Sequence, residues 1–369
     1  MTTTQAAVVE SAGADFTLAE VDLDDLRADE VRVQMVAAGL CHTDLGVAAG
    51  GLPFPLPGVL GHEGAGVVLE VGAGVEGIST GDQVLLSFTS CGACGNCRDG
   101  HPAYCATWLP ENLLGGTRRD GTATVRRDGA PLGSHFFGQS SFSREAVVDQ
   151  RSVVKVDPEA DLRLLAPLGC GVQTGAGAVW NVLAPRPGAS VVVLGAGAVG
   201  LSAVMAARLT PTTTIVVVDR VASRLDLARE LGATDVVDAS ELAGASLADA
   251  LRDLTGGGAD GLVESTGNTG VLREGVDALA SRGTAAVVGA PPFGEQVALD
   301  VNAMLAGKRV VGVTLGDSET QRLLPALVRL VHDGRMPLQR LVAHYPFAEI
   351  NRAVADMVSG ATVKPVLTF

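Results

Sequence analysis

Val191-Val192-Val193-Leu194-Gly195-Ala196-Gly197-Ala198-Val199-Gly200 joins an unbroken aliphatic run to a glycine turn, and residues 201–209 continue as an apolar helical segment. A Val-rich run without polar alternation reads as a strand buried on both faces, the habit of parallel sheets. The next such run, Ile215-Val216-Val217-Val218, ends on Asp219. G-x-G-x-x-G is weak evidence alone, but between a strand and a helix, with an acid about 20 residues beyond, it marks a dinucleotide site. Gly195, Gly197 and Gly200 let the backbone approach a pyrophosphate seated at the helix N-terminus. Asp219 would accept hydrogen bonds from the adenosine ribose and repel a 2′-phosphate, favouring NAD over NADP, with Arg220 pulling the other way.

Outward from this stretch the pattern stays α/β downstream. Helices are expected at 223–231 and near 271–280, with strands at 261–264 and 284–288. From about residue 316 come helices at 321–331 and 348–358 and the strand Val363-Lys364-Pro365-Val366-Leu367. Upstream, residues 5–170 are mostly short strands and loops. Glu30-Val31-Arg32-Val33-Gln34-Met35-Val36 alternates with period two, and Pro and Gly punctuate the remainder. The expected architecture is an antiparallel, partly barrel-like domain over 1–171 and a doubly wound cofactor domain over 172–315. Residues 316–369 would return to the first domain and leave the active-site cleft between the two.

The composition fits a globular protein: 369 residues, 47% hydrophobic and 18% charged. A net charge of −14 argues against nucleic acid or an anionic membrane as partner. The start, Met1-Thr2-Thr3-Thr4-Gln5, has neither the basic residues nor the apolar run of a signal peptide, so the expected compartment is the reducing cytoplasm. The uncharged stretch 188–207 reads as strand–turn–helix rather than a membrane span, because glycines and β-branched residues fill it.

In a reducing compartment the six cysteines are metal ligands sooner than disulfides. Cys91, Cys94, Cys97 and Cys105 form a C-x2-C-x2-C-x7-C lobe over 91–105, which suits a closed tetrahedral zinc site of structural type. Gly61-His62-Glu63-Gly64-Ala65-Gly66 sets an imidazole beside a carboxylate at the mouth of an alternating run, with Cys41 upstream and Cys170 far downstream. Residues 109–143 are a polar excursion in which Asp120-Gly121 and Asp128-Gly129 read as tight turns, its arginines as a solvated surface. It closes on His135-Phe136-Phe137-Gly138-Gln139-Ser140-Ser141-Phe142, rich in a residue class otherwise scarce.

Taken together, Gly61-His62-Glu63-x2-Gly66-x5-Gly72, the four-cysteine lobe and the late glycine fingerprint resemble the zinc-containing medium-chain alcohol dehydrogenases. Gly39-Leu40-Cys41-His42-Thr43-Asp44-Leu45, residues 135–142 and Leu168-Gly169-Cys170-Gly171 are most similar to the bacterial aryl-alcohol (benzyl alcohol) branch. The resemblance implies a GroES-like catalytic domain with a Rossmann cofactor domain, NAD, and two zinc ions per chain, one catalytic and one structural. Cys41, His62 and Cys170 match the catalytic zinc ligands, with the fourth position open to water or alcohol. Asp44 matches the carboxylate that orients His62, Glu63 the acid that visits the metal during ligand exchange, and Thr43 the hydroxyl that starts the proton relay. His42 and Lys364 fall where the family contacts the cofactor pyrophosphate, and Arg224 where it meets the adenosine ribose.

The implied reaction is reversible, NAD-dependent oxidation of a primary aromatic or allylic alcohol to the aldehyde. Benzyl alcohol is the favoured type, a geraniol- or perillyl-type or other medium-chain alcohol dehydrogenase is the alternative, and a non-catalytic relative is a remote one. Phe88 and Trp108 are candidate pocket residues, equally explained as core. Gly46 stands where many relatives carry a relay histidine, and Leu315 where the aryl-alcohol branch often has an acid. The family also implies a homodimer or homotetramer.

Overall fold

A computed structural model describes residues 2–242 and 244–369, and the chain divides into two compact units. The first runs through Cys170 and takes back Glu319–His332 and Leu338–Phe369; the second is Gly171–Ser318 with Asp333–Pro337.

The first unit is built on Glu30–Gly39, whose alternating residues bury Val31, Val33 and Met35 against Val68, Val84, Leu86 and Val148. One edge of this strand pairs antiparallel with Gly64–Val71. The other is shared end to end by Glu145–Asp149 and the C-terminal strand Lys364–Thr368. Register shifts after Arg32 and Met35 bend the strand, the usual effect of an extra residue in a ladder, so the sheet curls instead of lying flat. Gln83–Leu86, Val153–Lys155 and Val342–Pro346 complete seven strands. A second, five-stranded sheet is centred on Thr2–Val9 and Phe16–Leu23. The expected antiparallel, partly barrel-like domain is therefore observed.

The second unit carries a six-stranded sheet, parallel throughout. Its spatial order is Asp235–Asp238, Thr214–Asp219, Ser190–Leu194, Ala259–Glu264, Leu279–Val287, Arg309–Gly312. Strand order reverses beside Ser190–Leu194, so the glycine turn that follows it opens at the switch point where such sheets bind ligands. Every residue of Ser190–Leu194 is buried, as its uninterrupted apolar run requires. Leu279–Val287 begins five positions before the expected 284, because Leu279 already pairs with Ala259 and the preceding helix ends at Asp277.

The polar excursion departs from its expected solvated character. Around Asp128-Gly129 the two-residue turn does form, joining Val125–Arg127 to Ala130–Pro131. Arg118, however, is only 5% exposed and binds Glu30 with two parallel hydrogen bonds of 2.6 and 2.9 Å while also reaching Asp24. Glu30 is itself buried at the start of the central strand, so a planar fork is needed to satisfy it. Among the described residues no helix is long and apolar enough to cross a membrane.

Candidate active site and metal centres

Cys41 follows the central strand directly and caps the short helix His42–Ala48. Asp44, the third residue of that helix, turns its carboxylate back into the protein, where it is fully buried. There it accepts from Cys41 N at 3.0 Å, from Gly61 N at 3.1 Å and from His62 Nδ1 at 2.9 Å. Gly61 is left-handed (φ 92°), and a Cβ on it would stand 2.5 Å from the Phe142 backbone, so no other residue fits before His62.

A carboxylate only accepts, which places the His62 proton on Nδ1 and leaves Nε2 with a lone pair. That Nε2 is buried with no hydrogen-bond partner among the described residues. Ligand-type atoms of Cys41, His62, Glu63 and Cys170 all lie within 4.8 Å of one another. A buried lone pair facing two thiols is a set of donors that a zinc ion satisfies. Protons compete for the same place. Burial opposes a charge on His62, yet Asp44 and Cys41 push its pKa up to about 10. The hydrogen bond from Cys170, with the nearby His62, holds the Cys41 thiol well below its ordinary range, and the same pairing drives Cys170 well above it. Metal loading here displaces protons.

Glu63 is pushed up to about 7 by burial, against the pull of Lys364. The Lys364 ammonium, 2% exposed, lies 2.7 and 2.6 Å from the two Glu63 oxygens and 2.8 Å from Leu40 O. Gly39 makes room for this pair, since a Cβ there would fall 2.0 Å from Glu63 Oε2. Lys364, expected at the cofactor, is here paired with Glu63 inside the first unit. His42 is exposed on the first turn of its helix, and Thr43 Oγ1 lies 3.7 Å from Cys41 Sγ.

Cys91, Cys94, Cys97 and Cys105 also converge, with their sulfurs within 4.8 Å of one another. Backbone N–H groups point at the sulfurs, from Ala93 and Cys94 to Cys91 and from Ala106 to Cys94. The backbone N–H groups of Ala106 and Cys97 bring Cys94 down to about 6, while burial sends Cys97 up to about 12. Four sulfurs with no open position make a closed, structural site.

An aromatic wall stands over His62. Phe137 stacks on the imidazole at 4.4 Å and 24°, and Phe136 meets it edge-on at 5.4 Å. Trp108 sits edge-on to Phe137 at 5.6 Å, and Phe54 edge-on to Phe136 at 5.1 Å. Of the two pocket candidates, Trp108 packs on this cluster, while Phe88, 3% exposed, lies apart from it and is buried as deeply as Phe136 and Phe137 are. Phe54, Phe136 and Phe137 were not singled out individually by sequence reasoning. For Phe136 and Phe137 the signals were the clustering of rare aromatics in 135–142 and that segment's resemblance to the aryl-alcohol branch, and Phe54 had neither.

In the second unit the three fingerprint glycines divide by role. A Cβ on Gly200 would lie 1.8 Å from Gly195 O, and Gly195 is left-handed (φ 94°), so both are required by the turn itself. Gly197 has ordinary dihedrals (φ −78°) and nothing within 4 Å of an added Cβ. No neighbour in the protein requires a glycine here, and the space beside it stands open at the expected pyrophosphate position. Gly197→Ala is therefore expected to melt within a few degrees of the parent protein yet lose most dinucleotide affinity, which thermal unfolding and dinucleotide titration together would check. Parent-like affinity would remove Gly197 from the site. Asp219 accepts from Ala196 N at 2.6 Å and from Arg220 N and Val221 N at 2.8 and 2.9 Å, so it ties the glycine turn to its strand. Arg224 stands one turn into the following helix, with Nε buried and unbonded.

Comparison with known proteins gives two family matches. Residues 27–158 match the alcohol dehydrogenase GroES-like domain and residues 198–331 the zinc-binding dehydrogenase family. The chain is 41% identical to geraniol dehydrogenase of Castellaniella defragrans, over 99% of this chain and 97% of that protein. It is 34% identical to S-(hydroxymethyl)glutathione dehydrogenase of Escherichia coli, over 99% of each. The crystal structure of an alcohol dehydrogenase zinc-binding domain protein from Burkholderia ambifaria superposes with a TM-score of 0.96 at 50% identity, covering 100% of this chain and 99% of that one. Benzyl alcohol dehydrogenase from Acinetobacter calcoaceticus superposes at 0.95 and 42% identity, over the whole of both.

Proposed function

Because the chain belongs to the zinc-containing medium-chain alcohol dehydrogenases, with a catalytic and a structural zinc site and an NAD(P)-binding domain, we propose that it oxidises primary aromatic or allylic alcohols with NAD. Benzyl alcohol leads. The observation that carries the substrate class is the aromatic wall: Phe137 flat on His62, backed by Trp108, Phe136 and Phe54. An aromatic substrate ring that packs against this cluster would add about 0.5–1.5 kcal/mol per ring pair beyond its buried area, a gain a polyol does not make. An allylic alcohol is the second reading, since the relative named geraniol dehydrogenase is as similar as the one named for benzyl alcohol.

Zinc bound by Cys41, His62 and Cys170 would supply Lewis-acid polarisation of the alcohol oxygen, and the nicotinamide would supply the hydride acceptor. The chain's own residues do the remainder. Asp44 keeps the His62 proton on Nδ1 and so keeps Nε2 available. Lys364 pairs with both oxygens of the Glu63 carboxylate beside the cluster. Phe136 and Phe137 cover the imidazole and exclude water from its faces. Thr43 Oγ1 accepts the proton of the substrate hydroxyl as it releases its own, and with Gly46 in place of a relay histidine the outward step falls to water or another group. Thr43→Ala is expected to retain both metals and lower kcat by about 10²–10⁴, as metal analysis and steady-state kinetics would read. Unchanged kcat would end that role.

Asp219 supports NAD over NADP through its charge at the end of Thr214–Asp219. The edge strand Arg309–Gly312 is exposed along its whole length, with Val310 and Val311 outward, which supports a homodimer or homotetramer. The deciding assay is NADH formation with benzyl alcohol, geraniol, a straight-chain alcohol and a polyol, each with NAD and with NADP. Benzyl alcohol foremost with NAD is the expected result. A straight-chain alcohol or polyol foremost would overturn the substrate class.

A further inference from the structure

The segment that carries the aromatic wall is strained. His135, Phe137 and Ser140 are left-handed, at φ 61°, 54° and 53°, and none is glycine. Each such residue costs about 1–3 kcal/mol and persists only where its surroundings hold it. Some of that hold is local. Ser140 Oγ donates to Val59 O at 2.7 Å and accepts from Phe136 N at 3.0 Å, and Ser152 Oγ donates to Phe137 O at 3.1 Å.

The longest reach belongs to Gln139. Its side chain is 1% exposed and all its bonding is to backbone. Oε1 accepts from Gly64 N at 3.1 Å, while Nε2 donates to His62 O at 2.9 Å and to Ser87 O at 2.8 Å. One N–H at one end and two carbonyls at the other fix which way the amide faces. One side chain thus grips the main chain on both sides of Glu63 and ties it to Ser87, which follows strand Gln83–Leu86. The turn bearing Gln139 meets His62 twice: through the amide on its carbonyl, and through Phe137 on its ring.

We propose that Gln139 is a positioning residue that locks the strained 135–140 turn to the His62–Gly64 backbone. By holding both, it sets the angle of a catalytic metal ligand and the place of the aromatic wall with one side chain. The inference rests on the reading of Cys41, His62 and Cys170 as the catalytic metal site and of the wall as the alcohol surface. A filler role at this position is served equally by methionine, which has similar length and no hydrogen bonds. Gln139→Met instead strands one buried N–H and two buried carbonyls, which relax by moving the His62 backbone or the turn.

The experiment exchanges the catalytic zinc for cobalt in full-length parent and Gln139→Met protein and records the visible ligand-field spectrum. Metal loss to a chelator and kcat and KM for benzyl alcohol and a straight-chain alcohol are measured alongside. The expected result is a shifted cobalt spectrum, metal loss about tenfold faster, and a KM that rises more for benzyl alcohol than for the straight-chain alcohol. A folded Gln139→Met protein with the parent spectrum and release rate overturns the proposal. Should Gln139→Met fail to fold, Gln139→Glu keeps the shape and the bond from Gly64 N while setting an oxygen against both carbonyls. It is expected to shift the same two readouts, and parent values there are equally fatal. The spectrum and the release rate involve no alcohol. A parent protein without aromatic preference whose Gln139→Met form still shifts the spectrum retires the substrate reading and upholds the positioning role.

Discussion

Asp44→Asn is expected to cut the affinity of the catalytic site for zinc about ten- to a hundredfold, and kcat/KM with it, while the four-cysteine site keeps its metal. Asp44 touches no substrate, and its effect comes from accepting three hydrogen bonds at a point with no access to water. Those bonds hold the Cys41 backbone, the Gly61 backbone and the His62 ring at once. An asparagine of the same shape offers one acceptor oxygen and turns an NH2 group toward the remaining donors. At least one donor then lies buried and opposed, at a cost of about 1–3 kcal/mol. If the amide nitrogen faces His62, Nδ1 becomes the acceptor and the proton moves to Nε2, where the metal belongs. Dialysis against a competing chelator should leave one zinc per chain in the variant and two in the parent. Two tightly held ions with parent kinetics would show that the Asp44 bonds are dispensable.

Lys364→Met is expected to lower stability by about 3–5 kcal/mol, the cost of leaving one member of a buried pair without the other. Glu63 is fully buried beside Cys41 and Cys170, so removal of the ammonium leaves its carboxylate among anions or potential anions. The Leu40 carbonyl loses its partner as well. The strength of the effect lies in breaking the pair, not in any net gain the pair provides. For that reason Glu63→Gln placed on top of Lys364→Met should recover most of the loss, because no charge is then left alone. Urea unfolding of the single and double variants measures both. A double variant no more stable than Lys364→Met would show that the loss arises from packing around the lysine stem and not from charge.

Some of this was legible in the chain and some was not. The cofactor turn is local: a buried strand, three glycines and a helix follow one another, and each glycine's reason lies within a few residues or in the ligand's own space. The four-cysteine lobe is local in the same sense, with backbone N–H groups of its own loop bonding its sulfurs. Arg118 sits in a segment as polar as any solvated loop, and nothing in that segment announces a buried partner 88 positions away. Phe137 and Gln139 stand in a stretch noticeable for its aromatics, but left-handed backbone at a phenylalanine has no sequence signature.

The sequence by itself determined the doubly wound domain, the antiparallel domain and the four-cysteine donor set, because hydrophobic period, glycine placement and cysteine spacing act over a few residues at a time, whereas Cys41, His62 and Cys170, scattered along the chain, were joined only through the family resemblance. Only the tertiary structure decided what those donors face. Lys364 reaches Glu63 across 301 positions because the C-terminal strand pairs with the end of Glu30–Gly39, and Gln139 reaches His62 across 77. The first contact depends on sheet register, since a shift of one residue would turn Lys364 to the opposite face, and the second on the left-handed turn that carries Gln139.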